Sequence, residues 1–104
     1  MPNEYKKYVV NCKTDQYDVY IGRPSKFGNP FSHRHGTQAE CVVDTREEAI
    51  ECFKNYLFAT PKLLKAVRME LKNKILGCHC GVLQCHGEIL AEIANSDEFV
   101  YLEE

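Results

Sequence analysis

No strong electrostatic field comes from this sequence: 13 basic residues against 15 acidic ones leave a net charge of -2, too little to draw a protein onto nucleic acid or an anionic membrane. The first residues do not read as an apolar leader either. Residues 1–7 are polar and run into a strand-like segment, with neither the apolar stretch of a signal peptide nor a membrane span, so the expected location is the cytoplasm. No internal repeat, low-complexity tract or linker breaks the chain. The 104 residues, 44% hydrophobic and 27% charged, are therefore expected to form one ordinary globular domain over residues 1–104. A core of this size gives modest stability, and a metal or a second subunit is a natural supplement. Nothing in the sequence sets the oligomeric state.

What the chain does have is six cysteines. In a short protein expected in the cytoplasm these are expected to be thiols or metal ligands rather than a disulfide framework. Three of them crowd into the segment Cys78-His79-Cys80 and Cys85-His86.

The periodicity of apolar residues supplies the expected elements. Residues 5–12 and 18–21 read as strands, separated by a turn at 13–17 and able to form a hairpin. Residues 32–40 read as a polar loop. Thr45-Arg46-Glu47-Glu48 is a capping box, in which the Thr45 hydroxyl accepts from the Glu48 amide. A helix should follow, burying Ala49, Ile50, Phe53, Tyr56 and Leu57, with Cys52 beside them. Thr60-Pro61 starts a second helix with Leu63, Leu64, Val67 and Leu71 on its apolar face, ending near Asn73. The basic residues Lys62, Lys65, Arg68, Lys72 and Lys74, interrupted by Glu70, fit a solvated helix face.

Residues 74–78 read as a short buried strand, residues 86–94 as a third helix burying Ile89, Leu90 and Ile93, and residues 99–102 as a last strand. The fold class expected is α/β: a small single domain with a central mixed sheet, about three helices, and a Rossmann-like strand-loop-helix unit in the C-terminal half. Such a unit places a ligand beyond the strand's carboxyl end, against the helix N-terminus.

Two segments could carry chemistry. In the Cys/His cluster, Cys78, Cys80, Cys85 and His86 are candidate ligands for zinc, the cofactor that thiolate and imidazole suit. The spacing is narrower than the usual Cys-x-x-Cys pair, and adjacent Cys85 and His86 strain a shared ion. The same residues fit a second chemistry, with Cys85 a thiolate stabilised at a helix start and His86 an acid or base, both catalytic. A packing role for all of them is the plain alternative. Cys12 and Cys41 read as packing residues, Cys12 within reach of the loop, and His33 and His35 as solvated, with a place in a metal site, alongside Cys12, as the minor alternative. Glu88 echoes the His-x-Glu of zinc deaminases, but the downstream Pro-Cys-x-x-Cys is missing, and a role at the helix dipole is simpler.

The second segment is Ile21-Gly22-Arg23-Pro24-Ser25-Lys26-Phe27-Gly28-Asn29-Pro30-Phe31, rich in turn-forming residues directly after a strand. Arg23 and Lys26 can present donors to an anion, so the segment is a candidate phosphate or carboxylate clamp. A plain loop with an exposed arginine is the alternative.

With both segments read, the chain resembles a family catalogued as domain of unknown function 4326, found in microbes and their viruses. The resemblance is essentially full length. It rests on Asp18-Val19-Tyr20-Ile21-Gly22-Arg23-Pro24 running into Gly28-Asn29-Pro30-Phe31, on Thr45-Arg46-Glu47-Glu48-Ala49, and on Leu76 through Cys78, Cys80 and Cys85-His86-Gly87. The family usually carries an aromatic residue at Phe27 and tryptophan at His79, which makes His79 a weak ligand candidate. It points to Arg23, Asn29, Cys78, Cys80, Cys85 and His86, and implies no reaction. A looser, fold-level likeness joins the Cys-His pair to another α/β family with a Rossmann-like site.

Two expectations follow. One is a site for an anionic small ligand of nucleotide or phosphosugar type, possible catalysis included, with Arg23, Lys26 and Asn29 binding the anion. The alternative is a zinc-stabilised, non-enzymatic binding module.

Overall fold

Strand β5 (Leu76–Cys78) is the centre of the molecule, and every one of its residues is buried. A strand covered on both faces needs a neighbour on each edge to satisfy its amides and carbonyls. Strand β1 (Val9–Asn11) supplies one, pairing Val9 with Leu76, Val10 with Gly77 and Asn11 with Cys78. Strand β2 (Val19–Tyr20) supplies the other, pairing Val19 with Leu76 and Tyr20 with Gly77. All these pairs are parallel and the order is β1-β5-β2. In this computed structural model the described residues are 4–22, 25–32, 41–78 and 86–103.

The expected hairpin is thus replaced by an insertion. β1 and β2 do not pair, because β5 takes the edge each would have offered the other. Asp18 locks this choice: its amide donates to the Ile75 carbonyl at 2.8 Å and its carboxylate accepts from the Ile75 amide at 2.8 Å. The sheet is accordingly parallel rather than mixed. A separate parallel pair joins β3 (Phe31–Ser32) to β4 (Cys41–Val42) and contacts the first α-helix.

Helix α1 (Arg46–Phe58) starts where the capping box places it, with the Glu48 amide 3.0 Å from the Thr45 hydroxyl. Ala49, Ile50, Phe53 and Leu57 form its buried face, while Tyr56 is exposed and Cys52 half-buried. Helix α2 (Pro61–Leu71) has proline in its first turn. Thr60 serves it through its backbone carbonyl, and its hydroxyl donates back to Tyr56. Asn73, at φ 62°, turns the chain out of α2, a left-handed conformation that asparagine tolerates better than most residues.

Helix α3 (His86–Asn95) follows β5 and packs against α2, completing the strand-to-helix unit. Helices α1, α2 and α3 share a core of Ile21, Phe53, Leu57, Leu64, Val67, Leu71, Leu76, Leu90 and Ile93. No helix among the described residues is long and apolar enough to cross a membrane.

Both ends of the chain differ from expectation for one reason. Glu4–Tyr8 and Asp97–Glu103 are 3₁₀ helices rather than strand. Tyr5 and Tyr8, like Phe99 and Leu102, are three residues apart and pack against the core. A three-residue repeat brings such pairs onto one face, whereas strand alternation would send them to opposite faces.

Arg68 is the other correction. Its expected solvated position is buried to 2% exposure. One guanidinium nitrogen, Nη1, donates to the carbonyls of Ala94 and Ser96 at 2.8 Å each and of Ile93 at 3.3 Å. These are carbonyls at the C-terminal end of α3, where intrahelical donors run out and the dipole favours a cation.

Candidate ligand site at the ends of strands β2 and β5

The chain leaves β2 at Ile21, whose amide still donates to the Gly77 carbonyl at 2.9 Å. The Ile21 carbonyl then meets the ring of His86, with Nε2 2.8 Å away. A carbonyl oxygen only accepts, so Nε2 carries the proton in this contact and the lone pair of the neutral ring resides on Nδ1. His86 is 8% exposed and stands edge-on to Phe53, with ring centroids 5.1 Å apart and planes at 90°. The first residue of α3 is thereby fixed from two sides.

Gly87 permits this close seating. A β-carbon there would come within 2.8 Å of Ile21 Cδ1 and 3.0 Å of Val9 Cγ1. Glu88, also in the first turn, is 9% exposed, a place where a carboxylate meets the positive end of the helix dipole.

Beyond Ile21 the chain makes two consecutive turns, with the Ser25 amide donating to Gly22 and the Gly28 amide to Ser25, both at 2.9 Å. Phe27, 3% exposed, plugs this loop into the core. Asn29 ties it to α1: Nδ2 donates to the Ala49 carbonyl at 3.1 Å, and Oδ1 accepts from the Phe31 amide at 2.9 Å. Both ends of the Asn29 amide therefore hold the protein's own backbone. Lys26 reaches away to α2, where Nζ lies 2.7 Å from Glu70 Oε2 and 5.2 Å from the Phe27 ring centroid. The pair is exposed, at 57% and 48%, and such pairs contribute about 1 kcal/mol at most.

The structure thus gives these residues different partners: His86 is held at the end of β2, Asn29 against α1 and Lys26 against α2. Cys78 is 1% exposed and belongs to the core. Its carbonyl accepts from the Cys12 amide at 2.9 Å, so Cys12 does lie at the end of β5. Arg23, His33, His35, His79, Cys80 and Cys85 lie outside the described residues. Among the described residues, no three His, Cys, Asp or Glu side chains group as a metal site.

Two residues were missed by the sequence reading. Arg68 sits four residues after Leu64 and three before Leu71, on the apolar stripe of α2, so its spacing was a usable signal. Ser25 is the second. Its Oγ is buried without a hydrogen-bond partner among the described residues, a state that costs about 1–3 kcal/mol, and no spacing rule announces it.

A family model described as "Domain of unknown function (DUF4326)" matches residues 5–96. The chain belongs to this family. The match spans β1, the Gly22 loop, all three helices and β5, which are the elements that build the site. One curated relative is 36% identical over 90 residues, covering 84% of this chain and 76% of the relative. It is named "Uncharacterized 12.4 kDa protein in nrdA-td intergenic region", from Enterobacteria phage T4. No solved structure matches the family member described here at a significant level.

Proposed function

We propose that this protein binds a small anionic ligand, of nucleotide or phosphosugar type, where β2 and β5 end and α3 begins. The observation that carries the reading is the 2.8 Å contact from His86 to Ile21. It joins two segments 65 residues apart, one opening the Gly22 loop and the other opening α3. Carboxyl ends of parallel strands beside a helix N-terminus are a recurrent place for anionic ligands. In this reading Arg23, next after Gly22 in sequence, supplies the charged donor. Asn29 shapes the loop, Lys26 adds charge at its rim once it leaves its exposed pair with Glu70, and Cys85 with His86 supplies any chemistry.

The test is thermal stability with AMP, ADP and ribose 5-phosphate. A rise in Tm is expected for the wild type and is lost in Arg23→Ala, whose ligand-free Tm stays unchanged. No rise with any of the three, or an Arg23→Ala variant that responds fully, defeats the reading.

The zinc-module alternative is supported by the same His86 contact, since a metal-bound imidazole commonly donates its other nitrogen to a carbonyl. Cys78, Cys80, Cys85 and His86 would hold the ion. Metal analysis of untagged protein separates the two readings: one zinc per chain, with unfolding on chelation, replaces the ligand site by a structural metal.

A further inference from the structure

We infer that the Ser25 hydroxyl contacts the ligand, donating its proton to an anionic oxygen; this deepens the ligand reading above and rests on it. Ser25 is the fourth residue of the turn that Gly22 opens, and that turn follows directly on the carbonyl held by His86. Its backbone is fixed on both sides, the amide on Gly22 and the carbonyl on Gly28. Serine in a turn ordinarily hydrogen-bonds nearby backbone through its side chain. Here Oγ does not: it is covered and has no partner among the described residues.

Ser25 as a residue is only half-buried, so the covered atom and the exposed part of the residue differ. One step in χ1 turns a serine hydroxyl through about 120°, and no hydrogen bond of Oγ to the described residues has to break for it. A ligand oxygen at the loop then gains a hydroxyl donor and forfeits nothing in the protein. A structural serine behaves in the opposite way, because its bond exists before any ligand arrives. Phosphate oxygens suit this donor, being charged acceptors that shorten and strengthen hydroxyl hydrogen bonds.

The experiment compares wild type, Ser25→Ala and Arg23→Ala by titration calorimetry with ADP and ribose 5-phosphate, together with the Tm of each ligand-free protein. Ser25→Ala is expected to weaken binding about tenfold while its ligand-free Tm is unchanged or raised. If Ser25→Ala binds like wild type while Arg23→Ala does not, the role of Ser25 is overturned and the ligand site stands. A marked fall in the ligand-free Tm of Ser25→Ala also overturns it, by showing a structural bond. If neither probe binds the wild type, the ligand reading fails and Ser25 fails with it.

Discussion

Arg68 on α2 donates to the carbonyl of Ala94 on α3 at 2.8 Å, from a position that is 2% exposed. The charge is not stranded, since the same nitrogen also serves Ser96 and Ile93. Hydrogen bonds to a charged donor stabilise by about 1.5–3 kcal/mol each, and orphaned carbonyls add a desolvation cost. Arg68→Leu is therefore expected to lose about 3 kcal/mol or more in urea denaturation. Arg68→Lys should lose less, because an ammonium keeps the charge but lacks the planar fork. A loss below about 1 kcal/mol for Arg68→Leu would show that the cap carries little weight.

Gly87 poses a contest between two effects of known size. Alanine is favoured over glycine inside a helix by about 1 kcal/mol. Against this, its β-carbon meets Ile21 Cδ1 at 2.8 Å and Val9 Cγ1 at 3.0 Å, and overpacking a filled core costs about 1–3 kcal/mol. The clash is expected to win, so Gly87→Ala should be less stable than wild type. Ile21→Val removes the nearest methyl, and in the double variant the two losses should sum to less than their separate values. Strict additivity would place the conflict elsewhere.

The two ways in which the fold was legible in the sequence had different physical grounds. Local signals held: the Thr45 cap, Pro61 in the first turn of α2, and the start of α3 at His86 all depend on a few neighbouring residues. Pairing was not local. Val9-Val10 and Val19-Tyr20 have the composition of strands, but only the buried centre at Leu76, Gly77 and Cys78 decides that both pair with β5 instead of with each other. Phe99 to Leu102 failed for a related reason, because four apolar-rich residues fit a 3₁₀ turn as well as a strand. At the site, the sequence placed His86 and the Gly22 loop as separate features. Their meeting through Ile21 depends on β2 lying beside β5.

Asn29 tests whether the loop is held or merely present. Its amide uses both ends, donating to Ala49 and accepting from Phe31, at 8% exposure. Asn29→Ala strands the Phe31 amide and removes the second bond to the Ala49 carbonyl, and a loss of about 2 kcal/mol is expected in chemical denaturation. Asn29→Asp keeps the acceptor for Phe31 but sets a carboxylate oxygen against the Ala49 carbonyl. It should therefore be no more stable than the alanine variant at neutral pH. An aspartate variant as stable as wild type would mean that the Nδ2 bond to α1 contributes nothing.

His86 gives the most direct check, because its proton position is observable without knowing the ligand. The Ile21 carbonyl 2.8 Å from Nε2 requires hydrogen on that nitrogen in the neutral and the charged ring alike. Long-range proton–nitrogen correlation spectra of ligand-free protein above pH 8 should show the Nε2–H tautomer for His86. His86→Ala should lose about 2 kcal/mol, combining the orphaned Ile21 carbonyl with the lost edge-on packing against Phe53. If the spectra instead show Nδ1–H, Nε2 is not a donor and the link between β2 and α3 is broken. With the Nε2–H form present, the lone pair resides on Nδ1, the nitrogen that a base or a zinc ligand must use. The tautomer is thus common ground for both functional readings, and metal content then divides them.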